Sequence, residues 1–254
     1  MLKKRIIPLL LLKGGRCVKG VNFSNHRDVG HPVTNARIYQ HQGADELIFL
    51  DIEAENEKRR IDDGLVEKVS QECFMPFCAG GGIKTVEDIR NLLRAGADKV
   101  AINTQALKNP GFIAKAAESF GSQCIVVSID YKLNKIGRNE VFVSSGKEPT
   151  GKDPILWAKE ARGLGAGEIL LTNIDREGTR KGYDLEILQK VSDSLNIPVI
   201  ASGGAGTLED LMKAITNGHA SAVSLGTILH FTDQNVIKAR NYLYTHSVNV
   251  RIYE

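Results

Sequence analysis

The sequence predicts an α/β fold, a (β/α)8 TIM barrel built from two half-barrel repeats, with residues 1–254 forming one domain. The first observation is length, because 254 residues match the roughly 250 of a typical barrel of this kind. The second is the alternation of short apolar runs with amphipathic stretches, which is the pattern of βα units. The third is an internal repeat that relates the two halves of the chain.

Eight short apolar runs have the length and composition of buried parallel strands. In chain order they are residues 6–11, 47–51, 77–79, 100–103, 125–130, 169–172, 199–202 and 222–225. We number these runs as barrel strands 1 to 8. Stretches with the helical spacing of apolar residues lie between them, so the count and the order both predict a closed barrel.

The internal repeat is visible around two glycine-rich segments, residues 75–83 (MPFCAGGGI) and residues 197–205 (IPVIASGGA). Their prolines, Pro76 and Pro198, are 122 positions apart (198 − 76 = 122). The same offset relates further identical residues: Thr85 and Thr207, Glu87 and Glu209, Asp88 and Asp210, Gly96 and Gly218. One offset that holds across so many unlike residues indicates two half-barrels of four βα units, since neither half could bury its sheet alone.

The helices after these segments have predictable starts, because both begin with a Thr-x-x-Asp capping box. The boxes are Thr85 with Asp88 and Thr207 with Asp210. Apolar residues then recur at helical spacing and are assigned to the core. They are Val86, Ile89, Leu92 and Leu93 in the first helix, and Leu208, Leu211, Ala214 and Ile215 in the second.

Composition argues against several classes of function. The 33 basic and 30 acidic residues give a net charge of +3 without a basic run, so nucleic acid is not an expected partner. The early apolar run, residues 6–12, is too short for a signal peptide or a membrane span, so we expect a cytoplasmic protein without membrane contact. Cys17, Cys73, Cys78 and Cys124 lack metal-binding spacing and are interpreted as free thiols, and neither a metal nor a cofactor is expected.

Two glycine turns between strand and helix are candidate anion sites, each joined by donors from the next loop. The first cradle comprises Gly81, Gly82, Asn103 and Thr104, and the second cradle comprises Gly203, Gly204, Gly226 and Thr227. Glycine lets backbone N–H groups approach an oxyanion closely, and a helix N-terminus adds partial positive charge. Tight turns without a ligand are the alternative, but the repetition favours a ligand with two anionic ends that spans the mouth.

Carboxylates mark the same end of the barrel. Asp51 and Asp130 end strands 2 and 5, at the C-terminal rim where barrel enzymes keep catalytic groups. Such a pair performs acid–base catalysis only if one carboxyl is protonated while the other is not. For Asp130 the alternative is a loop cap. Lys19, after strand 1, is a candidate cation for the ligand, and a solvated lysine is the alternative.

Four charged residues mark the opposite end. Arg5, Glu46, Lys99 and Glu168 stand at the N-terminal ends of strands 1, 2, 4 and 6. Two acids and two bases there would neutralise one another, and polar groups at the N-terminal face of such barrels usually serve stability. The residues alone therefore indicate a structural ring of ion pairs.

Five motifs along the chain are specific to one known family: residues 49–52 (FLDI), 80–83 (GGGI), 102–104 (INT), 120–123 (FGSQ) and 165–171 (GAGEILL). With these motifs, nearly the whole chain resembles the cyclase subunit of imidazole glycerol phosphate synthase. The resemblance implies a glutaminase partner docked on the N-terminal face of the barrel in a heterodimer, and ammonia that crosses the barrel to its mouth. It also makes Arg5, Glu46, Lys99 and Glu168 the family's ammonia gate, and the two cradles its phosphate sites.

Strand 1 departs from this family. The resemblance implies a catalytic pair of aspartates at the ends of strands 1 and 5; the second falls on Asp130, but the first falls on Leu11. Leucine can neither give nor take a proton, and loss of a positioned acid–base group lowers the rate roughly 10²–10⁴-fold. The loop after strand 6 carries Glu177 before Gly178, where the family usually has aspartate, which moves a ligand-hydroxyl contact by about one methylene.

Strand 1 and residues 72–76 (ECFMP) are similar to paralogues of this subunit that are associated with acetamidino modification of surface-polysaccharide sugars. We therefore expect a subunit of a glutamine amidotransferase complex that delivers ammonia to a phosphorylated or nucleotide-linked sugar in lipopolysaccharide biosynthesis. A separate amidotransferase is then a further candidate partner.

Three alternatives remain. The first is a lyase of histidine biosynthesis, which converts ammonia and PRFAR to imidazole glycerol phosphate and AICAR, with another group replacing the missing aspartate. The second is a non-catalytic activator of a glutaminase. A phosphoribosyl isomerase fits the fold as well, but it would equally need a carboxylate on strand 1.

Overall fold

The computed structural model describes residues 2–252, and a closed ring of eight parallel strands lies at the centre of this part of the chain. The strands are β1 (Arg5–Lys13), β2 (Arg16–Val21), β3 (Ser24–Gly30), β4 (Leu47–Asp51), β5 (Phe77–Gly80), β6 (Lys99–Ile102), β7 (Ile125–Leu133), β8 (Asn139–Val143), β9 (Glu148–Pro149), β10 (Glu168–Asn173), β11 (Val199–Ser202) and β12 (Ala222–Leu225). The ring runs in the order β1, β4, β5, β6, β7, β10, β11, β12, and it closes because β12 pairs with β1.

These eight strands are the predicted barrel strands 1 to 8, so the predicted fold class is confirmed. The predicted bounds of strands 2, 7 and 8 agree with those of β4, β11 and β12. Strand 4 was predicted one residue too far along the chain. It ends at Ile102, and Asn103 instead precedes a short helix.

Helices alternate with the barrel strands and cover the outside of the ring. They are α1 (Pro32–His41), α2 (Asp63–Glu72), α3 (Val86–Arg94), α4 (Thr104–Lys108), α5 (Gly111–Phe120), α6 (Pro154–Gly163), α7 (Leu185–Asp193), α8 (Leu208–Thr216), α9 (Thr227–His230) and α10 (Val236–Thr245). Both predicted capping boxes are formed, because Thr85 and Thr207 each accept from the backbone N–H of the aspartate three residues on. The bounds of α3 and α8 differ by the same offset as the sequence repeat, so the repeat is structural.

Side chains of β1 alternate between two cores. Ile6, Leu10 and Leu12 pack outward against the helices. Ile7, Leu9 and Leu11 belong to a second cluster, which fills the inside of the barrel with these three side chains of β1 and at least one from each other barrel strand. This alternation has the two-residue period of a β-strand, and it points Leu11 into the barrel at its C-terminal end.

Within residues 2–252, the mouth of the barrel carries two β-hairpins, and the sequence analysis did not predict these hairpins. β2 and β3 follow β1, and β8 with β9 follows β7. The first turn is made by Gly14 and Gly15, whose φ angles of 55° and 72° suit a two-residue hairpin turn. This Gly-Gly pair was the available signal, because such a pair between extended segments predicts a hairpin.

Candidate functional site

A cavity of about 460 Å³ opens at the C-terminal ends of the barrel strands. Of the predicted residues it is lined by Leu11, Lys19, Asp51, Gly81, Gly82, Asn103, Thr104, Asp130 and Glu177. A recess of about 20 Å³ is lined by Gly178, Gly203, Gly204, Gly226 and Thr227, and Lys19 and Glu177 border both spaces. The structure therefore brings the predicted residues of the mouth together around two spaces with shared walls.

Asp130 is the central carboxylate of the cavity. It stands on β7 in register with Thr172 on β10, and its Oδ2 accepts a hydrogen bond of 2.8 Å from Asn103 Nδ2. Burial raises the pKa of Asp130 to about 7, although the hydrogen bonds from Asn103 and Thr172 oppose the rise. A carboxyl that titrates near neutral pH is present in both forms there, which suits acid–base catalysis.

The wall formed by β1 is apolar. Leu11 is only 7% exposed and lies in register between Leu50 on β4 and Val18 on β2. Leu9, two residues earlier on the same inner face, also lines the cavity. The inner face of β1 therefore contributes leucine side chains to the cavity wall, and these cannot transfer a proton.

Asp51, at the end of β4, is held by neighbouring groups on both of its oxygens. Its Oδ2 accepts a 2.5 Å bond from Arg59 Nη1, and its Oδ1 accepts from the backbone N–H groups of Glu53 and Ala54 at 3.1 Å. A carboxylate with these partners orders the loop after β4. Both of its oxygens are therefore occupied by Arg59 and by the loop backbone.

The first cradle requires glycine. Gly81 and Gly82 have φ angles of 125° and 67°, in a region that favours glycine. A Cβ on Gly82 would lie 1.9 Å from the carbonyl oxygen of Arg59, so the chain packs too closely there for any side chain. In the neighbouring loop, Thr104 Oγ1 accepts a hydrogen bond from the backbone N–H of Ser144, which ties this cradle to the loop after β8.

The second cradle is largely filled by Lys19. The ammonium of Lys19 forms a buried ion pair with Glu177, and a Cβ on Gly226 would lie 2.8 Å from Lys19 Cε. The recess of about 20 Å³ that remains has room for about one water molecule. A phosphate group would therefore enter only if the Lys19 side chain moved.

Two buried polar atoms beside Lys19 lack a hydrogen-bond partner among residues 2–252. They are Glu177 Oε2 and Thr227 Oγ1. An unpaired buried polar atom costs about 1–3 kcal/mol, so it is seldom retained unless a ligand or water satisfies it. The two unpaired atoms therefore indicate that this recess is a binding site for a polar group.

The four charged residues at the opposite end form a closed ring of ion pairs. Arg5 Nη1 lies 2.5 Å from Glu46 Oε2 and 3.1 Å from Glu168 Oε1. Lys99 Nζ lies 3.0 Å from Glu46 and 2.9 Å from Glu168. Each base thus contacts both acids, as the sequence analysis predicted for a structural ring.

Burial and pairing compete within this ring. Burial opposes the charges of Arg5 and Lys99, but Glu46 and Glu168 outweigh it and raise the pKa of both bases. For Glu46 burial is the larger effect, and it raises the pKa of this carboxyl despite the two nearby bases. The ring is therefore a tightly coupled group in which removal of one charge affects the other three.

Several residues of the mouth were missed by the sequence analysis. Arg59 holds Asp51, and Ser128 and Thr172 contact Asp130. The hairpins add Phe23, His26, Ser145 and Lys147 to the cavity wall. Ser128 could have been found, since it lies two residues before Asp130 and therefore on the same face of its strand.

All four cysteines lie in the described part of the chain as free thiols; Cys17, Cys73 and Cys78 are buried and Cys124 is partly buried. Among residues 2–252, no group of three or more His, Cys, Asp or Glu side chains is arranged to hold a metal ion. None of the helices described here is long and apolar enough to cross a membrane.

The fold and the mouth define the class of protein: a (β/α)8 barrel of two half-barrels with a polar cavity at the C-terminal ends of its strands. The model of the family described as "Histidine biosynthesis protein" matches residues 5–235. The imidazole glycerol phosphate synthase subunit HisF of Alkaliphilus metalliredigens (strain QYMF) is 48% identical over 251 residues, which cover 99% of this chain and 100% of that relative. The chain therefore belongs to the histidine biosynthesis protein family.

This similarity corrects the function expected from the sequence. We expected ammonia delivery to a sugar in lipopolysaccharide biosynthesis, because β1 is rich in leucine and residues 72–76 are similar to those of the sugar-modifying paralogues. That prediction is wrong, since the relative matched over the full chain is a synthase subunit in a family named for histidine biosynthesis. The expectation relied on the altered strand β1, whereas the similarity to the HisF relative extends over both half-barrels.

Proposed function

We propose that this chain is the cyclase subunit of an imidazole glycerol phosphate synthase, which converts PRFAR and ammonia to imidazole glycerol phosphate and AICAR. The observation that carries the proposal is Asp130, a carboxyl of the cavity wall whose pKa is raised by burial to about 7, which suits an acid–base group. The cavity of about 460 Å³ is within the usual range for small-molecule sites. The first cradle supplies donors for one phosphate of this substrate, and the second cradle accepts the other once the Lys19 side chain moves aside.

The other end of the barrel fits the supply of ammonia in this proposal. The ring of Arg5, Glu46, Lys99 and Glu168 serves as the gate, and the apolar interior above it conducts the uncharged molecule to the mouth. A glutaminase subunit docks on this N-terminal face. Both subunits act in the cytoplasm.

A second candidate function rests on Leu11. If a carboxylate on β1 is indispensable, the barrel retains its binding cavity and its ring but not the cyclisation chemistry. In that case it serves as a non-catalytic activator of the glutaminase.

The test is turnover of PRFAR by the purified chain with excess ammonium at alkaline pH, where free ammonia is abundant. The parent chain, Asp130→Asn and Leu11→Asp are compared, with Leu11→Asn as the matched control for polarity without an acid. Turnover by the parent chain that is lost in Asp130→Asn supports the cyclase. A silent parent chain that gains activity with Leu11→Asp, but not with Leu11→Asn, rejects the cyclase and supports the activator.

A further inference from the structure

Glu177 combines three properties that no other carboxylate of the mouth shares in the described chain. It is 4% exposed, it borders both the cavity and the recess, and its Oε2 has no hydrogen-bond partner among residues 2–252. Its other oxygen is held by Lys19. Glu177 is thus fixed through one oxygen, and its other oxygen is buried without a partner at the border of the two spaces.

The geometry points to Glu177 as the second acid–base group of the mouth, acting in place of a carboxylate on β1. This inference rests on the proposed cyclase function. Leu11 pairs in register with Val18, and Lys19 is the next residue along β2. The strand that pairs with Leu11 therefore also carries the residue that holds Glu177, and Leu11 and Glu177 line the same cavity.

Asp130 and Glu177 are close enough to influence each other. Thr172 stands in register with Asp130, and the chain continues from β10 into the loop that carries Glu177. The charge of Glu177 adds to the rise in the pKa of Asp130, after the larger effect of burial. Lys19 and His26, from β2 and β3, are the other titratable groups that face Glu177. Asp130, with its raised pKa, is the candidate acid, and the Glu177 carboxyl held by Lys19 is the candidate base.

The two carboxyls then catalyse the addition of ammonia to the ketone of the ribulosyl substrate. The nitrogen–carbon bond forms as the carbonyl π bond breaks, Asp130 gives its proton to the carbonyl oxygen, and Glu177 Oε2 takes a proton from the nitrogen. In the following loss of water, Glu177 returns its proton to the departing hydroxyl and Asp130 takes one from the nitrogen. The imine and water are formed, and both carboxyls are back in their starting states.

The experiment measures ammonia-dependent turnover of PRFAR across pH for the parent chain, Glu177→Gln and Glu177→Asp. Glu177→Gln should lower kcat roughly 10²–10⁴-fold with a smaller change in KM, and should remove one limb of the pH profile. Glu177→Asp should keep that limb and retain partial activity. It also keeps an acid beside Lys19, so it reports on the mechanism even if Glu177→Gln folds poorly.

Two further variants isolate the role of Glu177. In a Leu11→Asp background the Glu177→Gln change should cost less in kcat, because a second carboxylate is then present. Glu209→Gln, which removes an exposed partner of Lys213 on α8, is the matched control and should leave kcat unchanged.

The outcomes distinguish failure of the cyclase proposal from failure of the inference on Glu177. A parent chain without turnover overturns the cyclase proposal, and this inference with it. An active parent chain whose Glu177→Gln variant is folded and keeps both kcat and the pH profile overturns this inference alone, as does a loss confined to KM.

Discussion

The Asn103 side chain donates a hydrogen bond of 2.8 Å to Asp130, yet the pKa of Asp130 is about 7. A hydrogen bond to a carboxylate favours the charged form and lowers its pKa. The burial of Asp130 is therefore the stronger effect. The carboxylate form of Asp130 is consequently less stable in the folded protein than it would be in water.

Asp130→Asn should therefore stabilise the protein at alkaline pH. The pKa of Asp130 is raised from 3.8 when unfolded to about 7 when folded, so the stability it contributes is present below about pH 4 and is lost as the pH rises to about 7. The free energy of unfolding of the variant should exceed that of the parent chain by about 1–3 kcal/mol at pH values near 8. This difference should shrink towards acidic pH. Urea unfolding at several pH values measures it; Asp233→Asn, at an exposed residue, is the control. A gap that does not vary with pH contradicts the argument.

Glu46→Gln should destabilise the protein, because it leaves Arg5 and Lys99 with Glu168 as their remaining shared acid. Removal of one partner from a buried ion pair costs about 3–5 kcal/mol, and relief from burying the Glu46 charge, whose pKa is raised, offsets part of that cost. Glu72→Gln, which breaks a surface pair with Arg37, should cost about 0–1 kcal/mol. Chemical denaturation of both variants provides the comparison. Equal losses would mean that the ring stabilises the barrel no more than a surface pair does.

Gly82→Ala should disrupt the first cradle. The added Cβ would overlap the carbonyl oxygen of Arg59, and φ at this residue is 67°. We expect a loss of about 2–4 kcal/mol and weaker binding of inorganic phosphate. Gly137→Ala is the matched control, since its φ is 75° but nothing lies within 4 Å of the new Cβ. A loss of similar size at both positions would show that the backbone conformation, and not the close packing, determines the cost.

Thr85→Ala and Thr207→Ala test whether the two half-barrels are equivalent. Each variant removes the side-chain oxygen of a capping box that has the same hydrogen bonds in both halves. Each should cost about 1 kcal/mol, and the double variant should show the sum, because the two helices belong to separate βα units. Thermal unfolding of the three variants is the measurement. A double variant that deviates strongly from the sum would show that the halves are coupled through these helix starts.

The barrel could be predicted because its signals are local. Parallel strands buried on both faces are continuous apolar runs. The start of a helix with a capping box is specified by four consecutive residues, such as Thr85 to Asp88. The glycines of the two cradles were found because their pattern occurs twice.

The chemistry of the mouth could be predicted only in part, because its decisive contacts join distant residues. Lys19 and Glu177 are 158 positions apart, and neither residue by itself indicates that one fills the cradle and fixes the other. Arg59 is close to Asp51 in the chain, but the loop geometry that joins them has no sequence signature. The free oxygen of Glu177 depends on packing, which only the folded chain reveals.

The closure of the ring between β1 and β12 also has a consequence for folding. Arg5 stands in register with Ala222, so the first barrel strand finds its last neighbour only after most of the chain is in place. Pairing between such distant segments is slow, because loop-closure entropy is lost before the contacts form. The ion-pair ring draws Arg5, Glu46, Lys99 and Glu168 from both half-barrels and can therefore be completed only late in folding, when the two halves have joined.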